Sequence, residues 1–262
     1  MKHEVRLAAA AFAAMMGFAA NGAEIRVVSS IGMKAVIDEA RPLFEYATGH
    51  KLILVYGVAG PLHRQLENGE AFDVVILTSA MTNDLAARGR VVPVSVVDVA
   101  KTTLGLAARK GAAKADIATP EALKQALLGA KSIARSKEGQ SGVQAAKLIE
   151  RLGVERELES RMILDTRPGG AVMAVSEGKA ELAFALVSEI VPIPEVDFLG
   201  PVPDELQSYT VFTAGISRGS TEPEAAKTFV RFLLSEAVAT IRKAKGMERV
   251  TFITLERNPD AK

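Results

Sequence analysis

The residues of this chain able to do chemistry at neutral pH are few, and most fall where helical patterns begin. His63 lies in the first turn of a helical segment that starts near Pro61, just after Val58-Ala59-Gly60. Imidazole is the side chain whose ordinary pKa lies closest to neutrality, so it can take up and return a proton. Arg167 stands in an Arg-Pro-Gly-Gly turn, and Lys101 opens an extended run. Guanidinium and ammonium groups suit carboxylates, especially several on one molecule. Ser29, Ser30, Thr78, Ser79 and Ser141 add hydroxyl donors, and Gly32, Ala59 and Gly60 add small residues beside them. These positions fall in the turns Ser29 to Met33, Val58 to Pro61, Thr78 to Met81 and Gln140 to Gly142; Arg167 to Gly170 is a fifth candidate. A helix N-terminus carries unpaired N–H groups and partial positive charge, and small residues let an oxyanion approach it. The chemistry on offer is capture of a small anion, though glycine and serine also begin helices with no such role.

Composition narrows the classes. There is no cysteine and histidine is scarce, so no thiolate metal site is possible and neither a structural metal nor a cofactor is expected. Met1, Lys2 and Arg6 form a basic start, Leu7 to Ala20 an apolar run, and Ala20-Asn21-Gly22-Ala23 a small-residue cleavage site. Residues 1–22 are therefore expected to be a secretory signal, cut after Gly22 or Ala23 and too short to span a membrane comfortably. Without an Arg-Arg pair or a cysteine to acylate, the general route to the periplasm is expected, with no membrane insertion once the signal is removed. Losing Lys2, Arg6 and Glu4 with the signal leaves the 32 basic and 31 acidic residues in balance. That excludes the electrostatic footprint of a nucleic-acid partner. With no disulfide available in an oxidising compartment, the fold must rest on its core.

The elements that position these turns alternate. Ile25 to Val28, Lys51 to Tyr56 and Phe72 to Leu77 read as strands, each followed by a glycine- or serine-bearing turn and a helical period. Lys101 to Ala107 reads as a first strand crossing between lobes. A second set follows: Ser132 to Ala134, the helix Val143 to Leu152, the helix Ala171 to Ser176, and the buried strand Glu181 to Val187. Ser208 to Phe212 reads as the return strand, and Glu222 to Lys245 as one long amphipathic helix. Alternating strands and helices indicate an α/β fold with mainly parallel sheets. The expected division is 23–103 plus 207–262 in one lobe and 104–206 in the other.

The ordered set Ile25-Arg-Val-Val, Phe44 to Gly49, Leu62 to Gly69, Phe72 to Ile76 and Ala225 to Ala237 resembles the molybdate-binding-like branch of periplasmic solute-binding proteins. The resemblance runs through nearly all of the chain beyond the signal. It implies a type II periplasmic-binding fold, two α/β lobes joined by two crossing strands, with a small anion held between them. It also implies where the chain departs: the family's first-turn serine falls at Gly32, its second at Ala59 or Gly60, and a second-lobe tyrosine near Leu186. Loss of three hydroxyl donors leaves a tetrahedral oxyanion with unmatched oxygens, which disfavours molybdate.

The plan is also similar to that of periplasmic aconitate isomerases, enzymes on this fold. That similarity implies interconversion of trans- and cis-aconitate without a cofactor, by removal of an allylic proton and its return at another carbon. His63 is then the expected acid/base, because His3 leaves with the signal and His50 follows Gly49 in a polar turn. A lone helix histidine is as readily packed or solvated, and Glu189 and Tyr209 are the reserves; Asp73 is expected to be structural. The expected ligand is a tricarboxylate, bound with the help of Ser29, Ser30, Gly32, Ala59, Gly60, Thr78, Ser79, Lys101, Ser141 and Arg167. The alternative is the binding component of an ABC transporter for molybdate, tungstate or another small anion, with a permease as partner.

Overall fold

The computed structural model describes residues 22–112 and 115–250, so the expected signal lies outside the described residues except for Gly22. In chain order the first elements are β1 (Glu24–Ser30), α1 (Lys34–Thr48), β2 (Lys51–Gly57), α2 (Ala59–Glu67), β3 (Val74–Thr78), α3 (Ser79–Ala87) and β4 (Val97–Arg109). Then come α4 (Pro120–Gly129), β5 (Ile133–Ser136), α5 (Gln140–Leu152), α6 (Glu155–Leu158), β6 (Met162–Asp165), α7 (Gly170–Ser176), β7 (Leu182–Leu186) and α8 (Val187–Ile190). The chain closes on β8 (Val196–Pro201), β9 (Tyr209–Ile216), α9 (Pro223–Leu234) and α10 (Glu236–Ala244).

Two lobes follow from the pairing. In the first, β1 lies parallel to both β2 and β3, and β9 runs antiparallel to β3. In the second, β5 lies parallel to β6 and β7. The long strand β4 belongs to both: Val97 to Thr103 pair with β9, and Leu104 to Ala108 pair with β7. The return passes through a 3-10 turn at Asp204–Leu206. There the Gln207 amide holds the crossing segments together, accepting from Leu104 N at 2.9 Å and donating to Leu104 O at 3.0 Å.

Burial explains which strands the sequence announces. All five residues of β3 and all five of β7 are buried, as expected of central strands covered on both faces. The first core gathers Ile37, Phe44, Ile76 and Phe232, with the Phe44 and Phe229 rings edge to face at 5.2 Å. The second gathers Leu106, Leu127, Leu148 and Phe184. β6 and β8 were not among the expected strands: each is only partly covered, so neither carries a continuous apolar run. The single helix expected from Glu222 to Lys245 is in fact two. Ser235 between them is extended, at φ −70° and ψ 162°, and its hydroxyl donates to Phe232 O at 2.6 Å. Such a local bond competes with the helical pattern. No helix among the described residues is long and apolar enough to cross a membrane.

Candidate functional site

Four helix starts converge between the lobes. Ser30 and Ile31 come from the first lobe's turn into α1, and Val58 and Ala59 from the start of α2. The second lobe brings Gly139, Gln140 and Ser141 from the start of α5, and Gly169, Gly170 and Ala171 from the start of α7. Ser136, Leu186 and Glu189 complete the wall. Three of the four residues preceding these helices are Val58, Gly139 and Gly169, whose side chains have no oxygen with which to cap. Ser30 makes no capping bond either. Most other described helices also lack a side-chain cap; α4 is the exception, Thr119 accepting from Ala122 N at 3.1 Å. The cleft thus presents backbone N–H groups and positive helix ends to whatever lies within it.

Close packing brings these turns in. A Cβ on Gly142 would stand 1.8 Å from Ser136 O, and one on Gly170 would stand 2.0 Å from Asp165 Oδ1. Gly169 takes φ 70°, the left-handed conformation that glycine adopts without strain. Gly139 N donates to Ser136 Oγ at 2.9 Å, which leaves the Ser136 hydroxyl proton to donate into the cleft. The space where the four turns meet is narrow, ≈ 20 Å³, about that of one water, and partly open to solvent.

Of the expected site residues, Ser30, Ala59 and Ser141 line this cleft. The others do other work. Ser29 is fully buried and its hydroxyl donates to Ser30 O at 3.1 Å. Gly32 is a packing glycine: a Cβ there would meet the Phe212 ring at 2.5 Å. Gly60 faces the carbonyl of Glu138 across the lobes, where a Cβ would stand 3.2 Å away. Thr78 is buried at the start of α3, and Ser79 shares bonds with Thr213 Oγ1 at 2.6 Å and Asp98 at 3.3 Å.

The expected charged residues are absent from the cleft wall as well. Lys101 pairs with Glu248 at 3.0 Å and lies over the exposed ring of Tyr209 at 5.0 Å, so neither of them faces the cleft. Arg167 is fastened to Asp165 at 2.7 Å and Glu177 at 3.0 Å, holding both carboxyls below their ordinary range. His63 turns to α3, its Nε2 3.0 Å from Asp84 and its Nδ1 3.4 Å from Glu67. Arg88 lies beside the same carboxylates, 2.6 Å from Asp84 and 3.0 Å from Glu67. His63, Glu67 and Asp84 have the spacing of a metal-ligand group, but Arg88 already supplies their counter-charge. Side-chain type in the sequence marks a possible partner for an anion; it does not reveal a carboxylate nearby in space.

Among the described residues Glu189, named only as a reserve, is the one ionisable side chain lining the cleft. It sits in the first turn of α8, directly after the buried strand β7. It is partly buried, at the boundary of the cleft and a neighbouring cavity, and the surrounding protein strips part of its hydration. That desolvation pushes the carboxyl from 4.5 up to about 7, partly held back by a hydrogen bond with the Leu186 backbone. The sequence signal for it was position alone: an acid one turn beyond a fully apolar strand.

A family model of bacterial extracellular solute-binding proteins matches residues 25–248. This chain belongs to that family. Among these solute-binding proteins it is 32% identical to an aconitate isomerase of a Pseudomonas species, over 86% of this chain and 88% of that protein. It is 28% identical to a molybdate-binding protein of Azotobacter vinelandii, over 71% of this chain and 73% of that one. The fold is similar to the solved Azotobacter vinelandii periplasmic molybdate-binding protein at a TM-score of 0.76 and 21% identity, covering 87% of this chain and 100% of that one. The solute-binding proteins of the molybdate-binding-like branch thus share its two-lobed architecture.

Proposed function

We propose that this protein is a periplasmic aconitate isomerase, with Glu189 as the group that moves the proton. Glu189 carries the reading: a carboxyl that titrates near neutrality, set among uncapped helix starts that attract anions. A carrier gains nothing from an ionised carboxylate pointed at its anionic cargo. An isomerase needs such a base, because backbone N–H groups can hold carboxylates but cannot accept a proton. The step balances with one group. Glu189 takes a proton from the methylene carbon, the C–H electron pair becomes the new double bond, and the old double bond's pair takes the proton back at its far carbon. The helix ends offset the extra negative charge of the intermediate. The 32% relationship to a protein named aconitate isomerase supports the same reading.

Carriage of molybdate is the second reading, favoured by the molybdate-binding relatives. Against it, Ala59 and Leu186 line the cleft, and the family resemblance implies a serine at Ala59 or Gly60 and a tyrosine near Leu186. Purified protein incubated with trans-aconitate, with cis-aconitate followed by chromatography, separates the two. Turnover that falls by about 100-fold or more in Glu189→Gln supports the isomerase, the loss expected when a general acid/base is removed. No turnover, with tight molybdate binding, hands the chain to transport.

A further inference from the structure

A second cavity of ≈ 370 Å³ adjoins the cleft and shares Ile31, Gly169 and Glu189 with it. Its walls come from both lobes, Ala35 on α1 facing Val172 and Met173 on α7, with Ile193 beyond α8. The wall is mostly apolar, and its size is that of a small-molecule site. Its polar lining is Lys34 and Asp38, ion-paired with each other on α1, together with Glu189 and Ser188. Ser188 is 2% exposed and its Oγ, closed off from solvent, has no hydrogen-bond partner among the described residues.

We propose that this side cavity is a subsite for an apolar arm, so that the ligands of this protein include di- or tricarboxylates bearing an alkyl or aryl substituent. The carboxylates lie on the helix starts, as in the function proposed above on which this inference rests. The arm passes Glu189 into the apolar part of the cavity, between Ala35 of α1 and Val172 and Met173 of α7.

Succinate and phenylsuccinate share a head and differ in the arm, so calorimetry with the two reads the subsite directly. Phenylsuccinate is expected to bind at least about tenfold more tightly, from burial of the ring. Ala35→Phe, which fills the cavity without touching the cleft wall, is expected to erase that advantage. Met173→Glu, at an exposed position, is a second variant should the first fold poorly, and it is expected to weaken phenylsuccinate selectively. Equal affinities in the parent protein, no binding of either acid, or an advantage that survives both variants would overturn the subsite. Turnover of trans-aconitate by the same samples reports separately on the isomerase. Turnover without an aryl preference leaves the isomerase standing and the subsite wrong; an aryl preference without turnover does the reverse.

Discussion

The cleft and the outer face of α2 and α3 handle charge in opposite ways. On the outer face, Arg88 pairs with Glu67 and Asp84, and His63 packs within 3.4 Å of the same two carboxylates. Around Arg167 the pattern repeats with Asp165 and Glu177. Among the described residues no cationic side chain stands on the cleft wall; backbone N–H groups face it, and one carboxyl, that of Glu189, has no ion pair. A satisfied cluster has little left to offer a ligand. A group kept short of its counter-charge does, and its pKa records the fact: Glu189 is pushed up to about 7 by desolvation, while Asp84 beside Arg88 is held down. Chemistry is to be sought where electrostatics are left incomplete.

The sharpest way to break that comparison is to neutralise one group from each region. Glu189→Gln is expected to lower trans-aconitate turnover by about 100-fold or more while keeping the fold. His63→Ala, removing a surface pairing, is expected to stay within about threefold of the parent rate. Steady-state rates with thermal melts check both. The reverse ranking would return the proton to His63 and make the outer cluster the reactive one.

A pH series is the next largest effect, and it has a definite sign. The base must be ionised to take the first proton, so kcat/KM is expected to rise through pH ~7 and level off above it. Bound carboxylates raise the Glu189 pKa further, so the midpoint for kcat is expected to lie higher than that for kcat/KM. Stability runs the other way. Between its ordinary 4.5 and about 7, the folded protein holds a proton that the unfolded chain has released. Glu189 therefore costs stability as pH rises through that window, by up to about 3 kcal/mol above it. Glu189→Gln is expected to outlast the parent in urea at pH 8, with the gap closing by pH 4. A gap that widens on acidification would show that the carboxyl has a partner.

These contrasts explain what the sequence disclosed. Strands such as Val74–Thr78 and Leu182–Leu186 were legible because full burial leaves an unbroken apolar run. The helix starts at Ala59 and Gln140 were legible only to within two or three residues, as starts near Pro61 and at Val143, because glycine, serine and proline mark the turn and not the first helical residue. Partners distant in sequence were not legible. Nothing near Arg167 in the sequence says that Glu177 comes back to meet it, or near His63 that Asp84 does. Glu189 was hard to weigh for the same reason, since its importance lies in the counter-charge it lacks.

The smallest expected effect lies at the cleft's mouth, where the two ways of handling charge meet. Arg64 on α2 pairs with Glu138 of the other lobe at 2.5 Å, next to the close approach of Gly60 to the Glu138 carbonyl. The pair spans the lobes, so it is expected to favour this arrangement over one with the lobes further apart. Both side chains are well exposed, 60% and 40%, so water and salt weaken their attraction. Arg64→Ala is accordingly expected to raise the ligand dissociation rate by only about two- to fivefold at low salt, the range typical of exposed pairs. At ~1 M salt, where the screening length is ~3 Å, parent and variant should converge. Stopped-flow release of ligand at the two salt concentrations measures this. A loss far larger than fivefold, or one indifferent to salt, would mean that Arg64 reaches the ligand itself and that the cleft does employ a cationic side chain after all.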